Sequence, residues 1–147
     1  MKCLMIFVCL GGWAVPVLAQ APVQDLAFTE FFRQPVGPRG LEPTAKLLSL
    51  AGKRVRLSGY LAQAENGSPG VALLSPQPLV LGDGDEGLAD DLPASVVTVL
   101  GRMPDALPRS SRVRLTGVLE LAPRLEADGR ISFIRLLLEK AEMAPTP

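Results

Sequence analysis

The sequence predicts an all-β fold, a small barrel of about five strands behind a proline-rich N-terminal arm. Three observations carry this expectation. Apolar and polar residues alternate in several short runs, the period of a half-buried strand and not of a helix. Segments rich in Gly, Pro and Asn separate those runs, as turns require. A pattern of the form V-R-L-(S/T)-G-x-L occurs twice, at residues 55–61 and 113–119, with a glycine at the same place in each copy.

The first nineteen residues have the three parts of a secretory signal: Met1 and Lys2, an apolar run over 3–15 broken by Gly11 and Gly12, then Pro16-Val17-Leu18-Ala19. Cleavage after Ala19 places Val17 and Ala19 at the small-residue positions and starts the mature chain at Gln20. The apolar run is shorter than the roughly 20 residues a spanning helix needs. Cys9 follows Ile6-Phe7-Val8, which is not a lipobox. The expected location is therefore the periplasm or the exterior of a bacterium.

Residues 20–50 read as an arm and a short helix. Phe28, Phe31 and Phe32 are three of the five aromatic residues of the mature chain and pin the arm to the domain. Residues 34–43 hold three prolines and two glycines and specify an ordered turn or extended wrap. Thr44 is an N-cap candidate for a short helix over 44–50 that ends near Gly52.

The period then changes to two, and the barrel is expected over 51–142. Val55, Leu57, Gly59 and Leu61 point one way, Arg56, Ser58, Tyr60 and Ala62 the other. Asn66-Gly67-Ser68-Pro69-Gly70 is a turn, and Val71-Ala72-Leu73-Leu74 begins the second strand. Pro76 and Pro78 break it before an acidic, glycine-rich stretch over 82–91. Residues 95–100 are the most strand-like run. Residues 112–121 and 130–139 are the last two strands, joined through a turn at Asp128-Gly129, and 143–147 form a disordered tail.

The two glycine-bearing copies are too few for a solenoid. They suit strands that coil sharply in a small closed barrel, where a side chain at the bend would clash. Five such strands with long central connections describe an OB-like barrel. A small β-sandwich satisfies the same strand count and is the alternative.

The segments Leu50-Ala51-Gly52-Lys53-Arg54-Val55-Arg56-Leu57-Ser58-Gly59-Tyr60-Leu61, Ala72-Leu73-Leu74-Ser75-Pro76, Val97-Thr98-Val99 and Val113-Arg114-Leu115-Thr116-Gly117-Val118-Leu119 together resemble exported bacterial proteins of the DUF3299 type. The resemblance spans about two thirds of the mature chain. It implies an OB-type barrel and no particular activity. Members of that type carry a Cys-His-Pro-Pro element after the second strand. Here the region reads Gln77-Pro78-Leu79-Val80-Leu81-Gly82-Asp83, so no metal or thiol chemistry is carried over.

Composition removes most reaction classes. The chain has no His, and its two cysteines, Cys3 and Cys9, fall inside the signal. The usual zinc, copper and haem ligands are missing, as is the usual base for a Ser or Cys nucleophile. No phosphate-cradling glycine loop is present. The chain is not expected to be an enzyme, nor to need a cofactor. Without Lys2 the mature chain carries 14 basic against 15 acidic side chains, so electrostatic recognition has to be local.

Two clusters are candidate sites. Arg54, Arg56 and Tyr60 on one motif strand and Arg112, Arg114 and Thr116 on the other form a cationic face if the strands are neighbours. Such a face suits a phosphate, an oligonucleotide or an acidic partner. The polar outer positions of any strand, and protection of its edge, give the plainer reading. Asp83, Asp85, Glu86, Asp90 and Asp91 place oxygen ligands on a glycine-rich loop able to hold Ca²⁺, although Gly87 falls where a ligand belongs. The plainer reading there is a solvated acidic loop. The expected function is a non-catalytic binding or accessory module of the cell envelope, recognising an envelope protein or other periplasmic component. A Ca²⁺-binding structural domain and an anion- or oligonucleotide-binding barrel are the alternatives.

Overall fold

The computed structural model describes residues 21–62, 69–79, 92–104, 111–126 and 129–144. The expected signal at 1–19, the turn centre at 66–68, the acidic residues 83–91 and the last residues of the tail lie outside them.

The arm adds a short strand, β1 (Gln24–Asp25), and a 3-10 turn at Phe28–Glu30. The helix α1 (Ala45–Ser49) follows. Then come β2 (Arg54–Ala62), β3 (Val71–Ser75), β4 (Val97–Leu100), β5 (Arg112–Leu125) and β6 (Ile131–Met143). β5 runs past its expected end because Pro123, which cannot donate to a ladder, sits at a register shift between Leu121 and Arg124, and β6 runs past 139 because residues 140–143 pair with the start of β5. β4 is shorter than expected. Residues 94 and 95 turn, with Val96 N–H donating to the Pro93 carbonyl, so the strand starts only at Val97.

Pairing runs β2–β3–β4–β6–β5 and returns from β5 to β2, with β4 and β6 parallel and the other ring pairs antiparallel. This is the ring of a small OB-like barrel, closed through a short parallel β4–β6 contact. β1 lies parallel to β2 at its margin, Gln24 opposite Val55.

Alternation fills the interior with Val55, Leu57 and Leu61 of β2, Leu74 of β3, Val97 and Val99 of β4, Val113, Leu115 and Leu119 of β5, and Ile134 and Leu136 of β6. Each such side chain contributes about 1.5–3 kcal/mol on burial. Leu47 and Leu50 of α1 close one end. Thr44 caps α1 as expected, its hydroxyl accepting from Leu47 N–H at 3.1 Å. Phe31 is completely buried, with Phe28 tilted against it at 5.1 Å between centroids and Phe32 edge-on at 6.4 Å. The arm is a packed strap.

The two motif copies pair with each other. Leu57 faces Leu115, Arg56 faces Thr116, Ser58 faces Arg114, Val55 faces Gly117 and Gly59 faces Val113, a local two-fold in which each glycine meets the other copy's first valine. Both glycines are sterically required. A Cβ on Gly117 would lie 2.1 Å from the Leu137 carbonyl oxygen, and one on Gly59 would lie 2.6 Å from that of Ser75. The bend read from sequence is the place where a neighbouring backbone passes too close for a side chain.

Candidate functional site

The local two-fold does bring the six candidate residues of the cationic face onto adjacent strands. Tyr60 lies opposite Arg112 and Ser58 opposite Arg114, while Arg56 lies opposite Thr116. Their surroundings, however, are charge-balanced. A bulge in β6 near Glu139 lets its carboxylate reach Arg54, with Nη2 to Oε2 at 2.7 Å. Asp25 of β1 sits 3.4 Å from Arg56, and Glu142 lies opposite Arg114 in register while pairing with Lys140. Thr116 is buried, at 6% exposure. These pairs are partly open to water and contribute below about 1 kcal/mol each. Two guanidiniums, Arg112 and Arg114, have no carboxylate partner among the described residues.

The acidic candidates Asp83, Asp85, Glu86, Asp90 and Asp91 lie outside the described residues. Among the described residues, no group of three metal-ligating side chains converges.

A pronounced concavity among the described residues lies elsewhere. Beyond Leu119, where its main chain exchanges hydrogen bonds with Gly52 and Lys53, β5 leaves β2 and continues with β6 as a two-stranded hairpin. β6 meets β4 only from Arg135 onward, opposite Thr98, so the segment before β4 and the start of β6 splay apart. A cleft of about 800 Å³ opens there, bounded by residues 92–96, the arm, α1 and the hairpin. Leu41, Leu48, Ile131 and Phe133 line it while remaining exposed, the last two at 62% and 64%. Leu125, opposite Ile131, is 76% exposed on the same outward face.

The hairpin holds its shape through Arg135. Its Nη1 lies 3.2 Å from Glu120 Oε2 and its Nε 3.1 Å from Glu126 Oε1, and Ser132 Oγ donates to the same Glu126 oxygen. Glu126 is nearly buried at 8% side-chain exposure. These groups of the extension pair with one another, and the cleft wall is mostly apolar, with Thr98, Arg130 and Ser132 among its lining residues.

Sequence reasoning did not identify this cleft. Its walls come from four separated segments, and Ile131 and Phe133 look like ordinary strand residues. One signal was present: Ile131-Ser132-Phe133-Ile134 places large apolar side chains on both faces of a strand, more than a one-sided core needs.

The fold and this opening define a small all-β barrel with an apolar, open end. Comparison with solved structures finds a similar architecture in a DUF3299 family protein from Pseudomonas aeruginosa PAO1, at a TM-score of 0.57 and 13% identity, covering 86% of this chain and 99% of that one. At this identity the likeness establishes fold, and to that extent supports the resemblance drawn from the sequence. No family model and no curated protein matches the chain. No helix among the described residues is long and apolar enough to cross a membrane.

Proposed function

We propose that the chain is exported, loses residues 1–19, and works in the periplasm as a non-catalytic binding module of the bacterial envelope. The observation that carries the binding role is the cleft of about 800 Å³ with exposed Leu41, Leu48, Ile131 and Phe133 on its walls. Large apolar side chains gathered at a concavity mark recognition sites, whereas the same residues scattered singly need no explanation. Absence of His from the sequence, and of Cys beyond position 9, supports a role without nucleophilic or transition-metal chemistry. The tripartite N-terminus supports export.

The test combines cell fractionation with N-terminal sequencing and affinity capture using the intact protein. The reading expects a periplasmic chain beginning at Gln20 and a reproducible partner. A cytoplasmic chain that retains Met1 refutes export. Failure to retain any envelope component in any detergent or salt condition refutes the binding role.

Arg112 and Arg114 favour a second reading, recognition of an anion or oligonucleotide on the β2–β5 face. It expects affinity to fall steeply with salt and with either Arg→Ala change. Glu139, Glu142 and Asp25 on the same face weigh against it. A calcium role for residues 83–91 expects a higher melting temperature with added Ca²⁺, since a ligand held only by the folded state stabilises it.

A further inference from the structure

The cleft is walled on one side by a strand whose edge is unpaired among the described residues. In the β5–β6 hairpin, Glu126 N–H donates to the Arg130 carbonyl, and Gly129 N–H to the Glu126 carbonyl. The ladder alternates from there. Arg124 and Ser132 therefore face each other through hydrogen bonds, while the main-chain groups of Ile131 and Phe133 point away from β5, toward the splayed side. Across from Phe133 the ladder is shifted between Leu121 and Arg124, which removes any claim of β5 on it. Among the described residues no strand pairs with β6 on that side before Arg135.

We infer that this edge binds an extended, apolar segment of a partner polypeptide, which adds as a strand beside Ile131 and Phe133. The inference rests on the binding-module reading and names its mode. Main-chain N–H and C=O groups of Ile131 and Phe133 supply affinity independent of sequence. Side chains alternating along the guest supply specificity, those on the outward face resting on Ile131, Phe133 and Leu125, and those on the other face entering the apolar wall of Leu41 and Leu48. Charge is sparse along this line: Arg135 is ion-paired with Glu120 and Glu126, and Arg130 is the charged residue at the cleft's rim. The edge lies in a cleft bounded also by residues 92–96, the arm and α1, which fits one extended segment, and pairing of the same edge with a second copy is an outcome of the test.

The experiment selects binders to the purified intact protein from a phage-displayed library of heptapeptides, then compares the wild type with Ile131→Pro, Ile131→Val, Phe133→Lys and Arg112→Ala. Proline at the first position of a strand is tolerated by the fold and removes only the outward N–H. The result expected is enrichment of peptides with alternating apolar residues. Their affinity falls tenfold or more with Ile131→Pro and with Phe133→Lys, falls far less with Ile131→Val, which keeps the main-chain N–H, and is unchanged by Arg112→Ala. Amide exchange at Ile131 and Phe133 of the wild type slows when the peptide is bound, a readout that survives if the proline variant fails to fold. Acidic peptides that depend on Arg112 overturn the strand mode while leaving a binding module in place. Failure to enrich any peptide, or concentration-dependent doubling of mass with burial of Phe133, overturns it as well. Loss of partner capture by the protein in every condition removes the underlying reading itself.

Discussion

β5 passes through two environments, and the contrast between them separates what holds the protein together from what it offers to others. Over 112–119 it lies between β2 and β6, and its inward side chains Val113, Leu115 and Leu119 are completely buried. Beyond Leu119 it keeps only β6, and at its end Leu125 is 76% exposed. One strand thus supplies a barrel wall and then a free-standing apolar hairpin. Closure consumes backbone edges and apolar faces where the barrel needs them, and where the strand outruns the ring both remain available.

The sharpest way to break this contrast is to truncate the same side chain in each half. Leu115→Ala is expected to cost about 3–4 kcal/mol through lost burial and a residual cavity. Leu125→Ala is expected to stay within about 0.5 kcal/mol. Urea denaturation of the pair checks this, and comparable losses would place the hairpin in the core. Next in size are the glycines of the motif. Gly117→Ala drives a Cβ onto a backbone carbonyl, an overpacking loss of about 3 kcal/mol. Gly59→Ala should cost less, because its approach to the Ser75 carbonyl is longer and the nearby Phe28 ring is able to shift. Equal melting temperatures for the two variants would contradict the closer backbone approach at Gly117.

Thr44→Ala removes the cap of α1, which floors the cleft beside Leu48, and is expected to lower stability by about 1 kcal/mol. The smallest effect is on pH. Glu30 accepts from Lys46 Nζ at 2.7 Å and from Ala27 N–H at 2.9 Å, and these bonds hold its carboxyl below the ordinary value of 4.5. A carboxyl lowered in the folded state stabilises it above that ordinary value, and the contribution is lost as pH falls through the lowered one. Thermal melts from pH 6 to pH 3, in roughly half-unit steps, should show a slight acid-side decline that Glu30→Gln flattens.

Much of the barrel was legible because its signals are local. Alternation in 54–62 and the Thr44 cap are local constraints, and the repeated glycines at 59 and 117 mark where a neighbouring backbone passes close. The ends of strands were less legible. Pro123 reads as a stop in sequence yet sits within β5, because a register shift spares the hydrogen bond it cannot make. The added strand β1, Gln24–Asp25, is only two residues long and exists through tertiary contact with β2. The cationic residues were grouped correctly by strand, but sequence does not show that Glu139, Asp25 and Glu142 stand among them, since the first needs a bulge to reach Arg54. The cleft was illegible for the same reason: Leu41, Leu48, Ile131 and Phe133 meet only through the path of the chain.

Which of the two regions meets the partner is the central question, and partner capture by matched variants answers it most directly. The intact protein, Phe133→Lys and Arg112→Ala would each be used to retain envelope components, with circular dichroism confirming that all three are folded. The account predicts that the wild type and Arg112→Ala retain the same partner and that Phe133→Lys loses it. Retention by Phe133→Lys together with loss by Arg112→Ala would contradict the account and move recognition to the β2–β5 face.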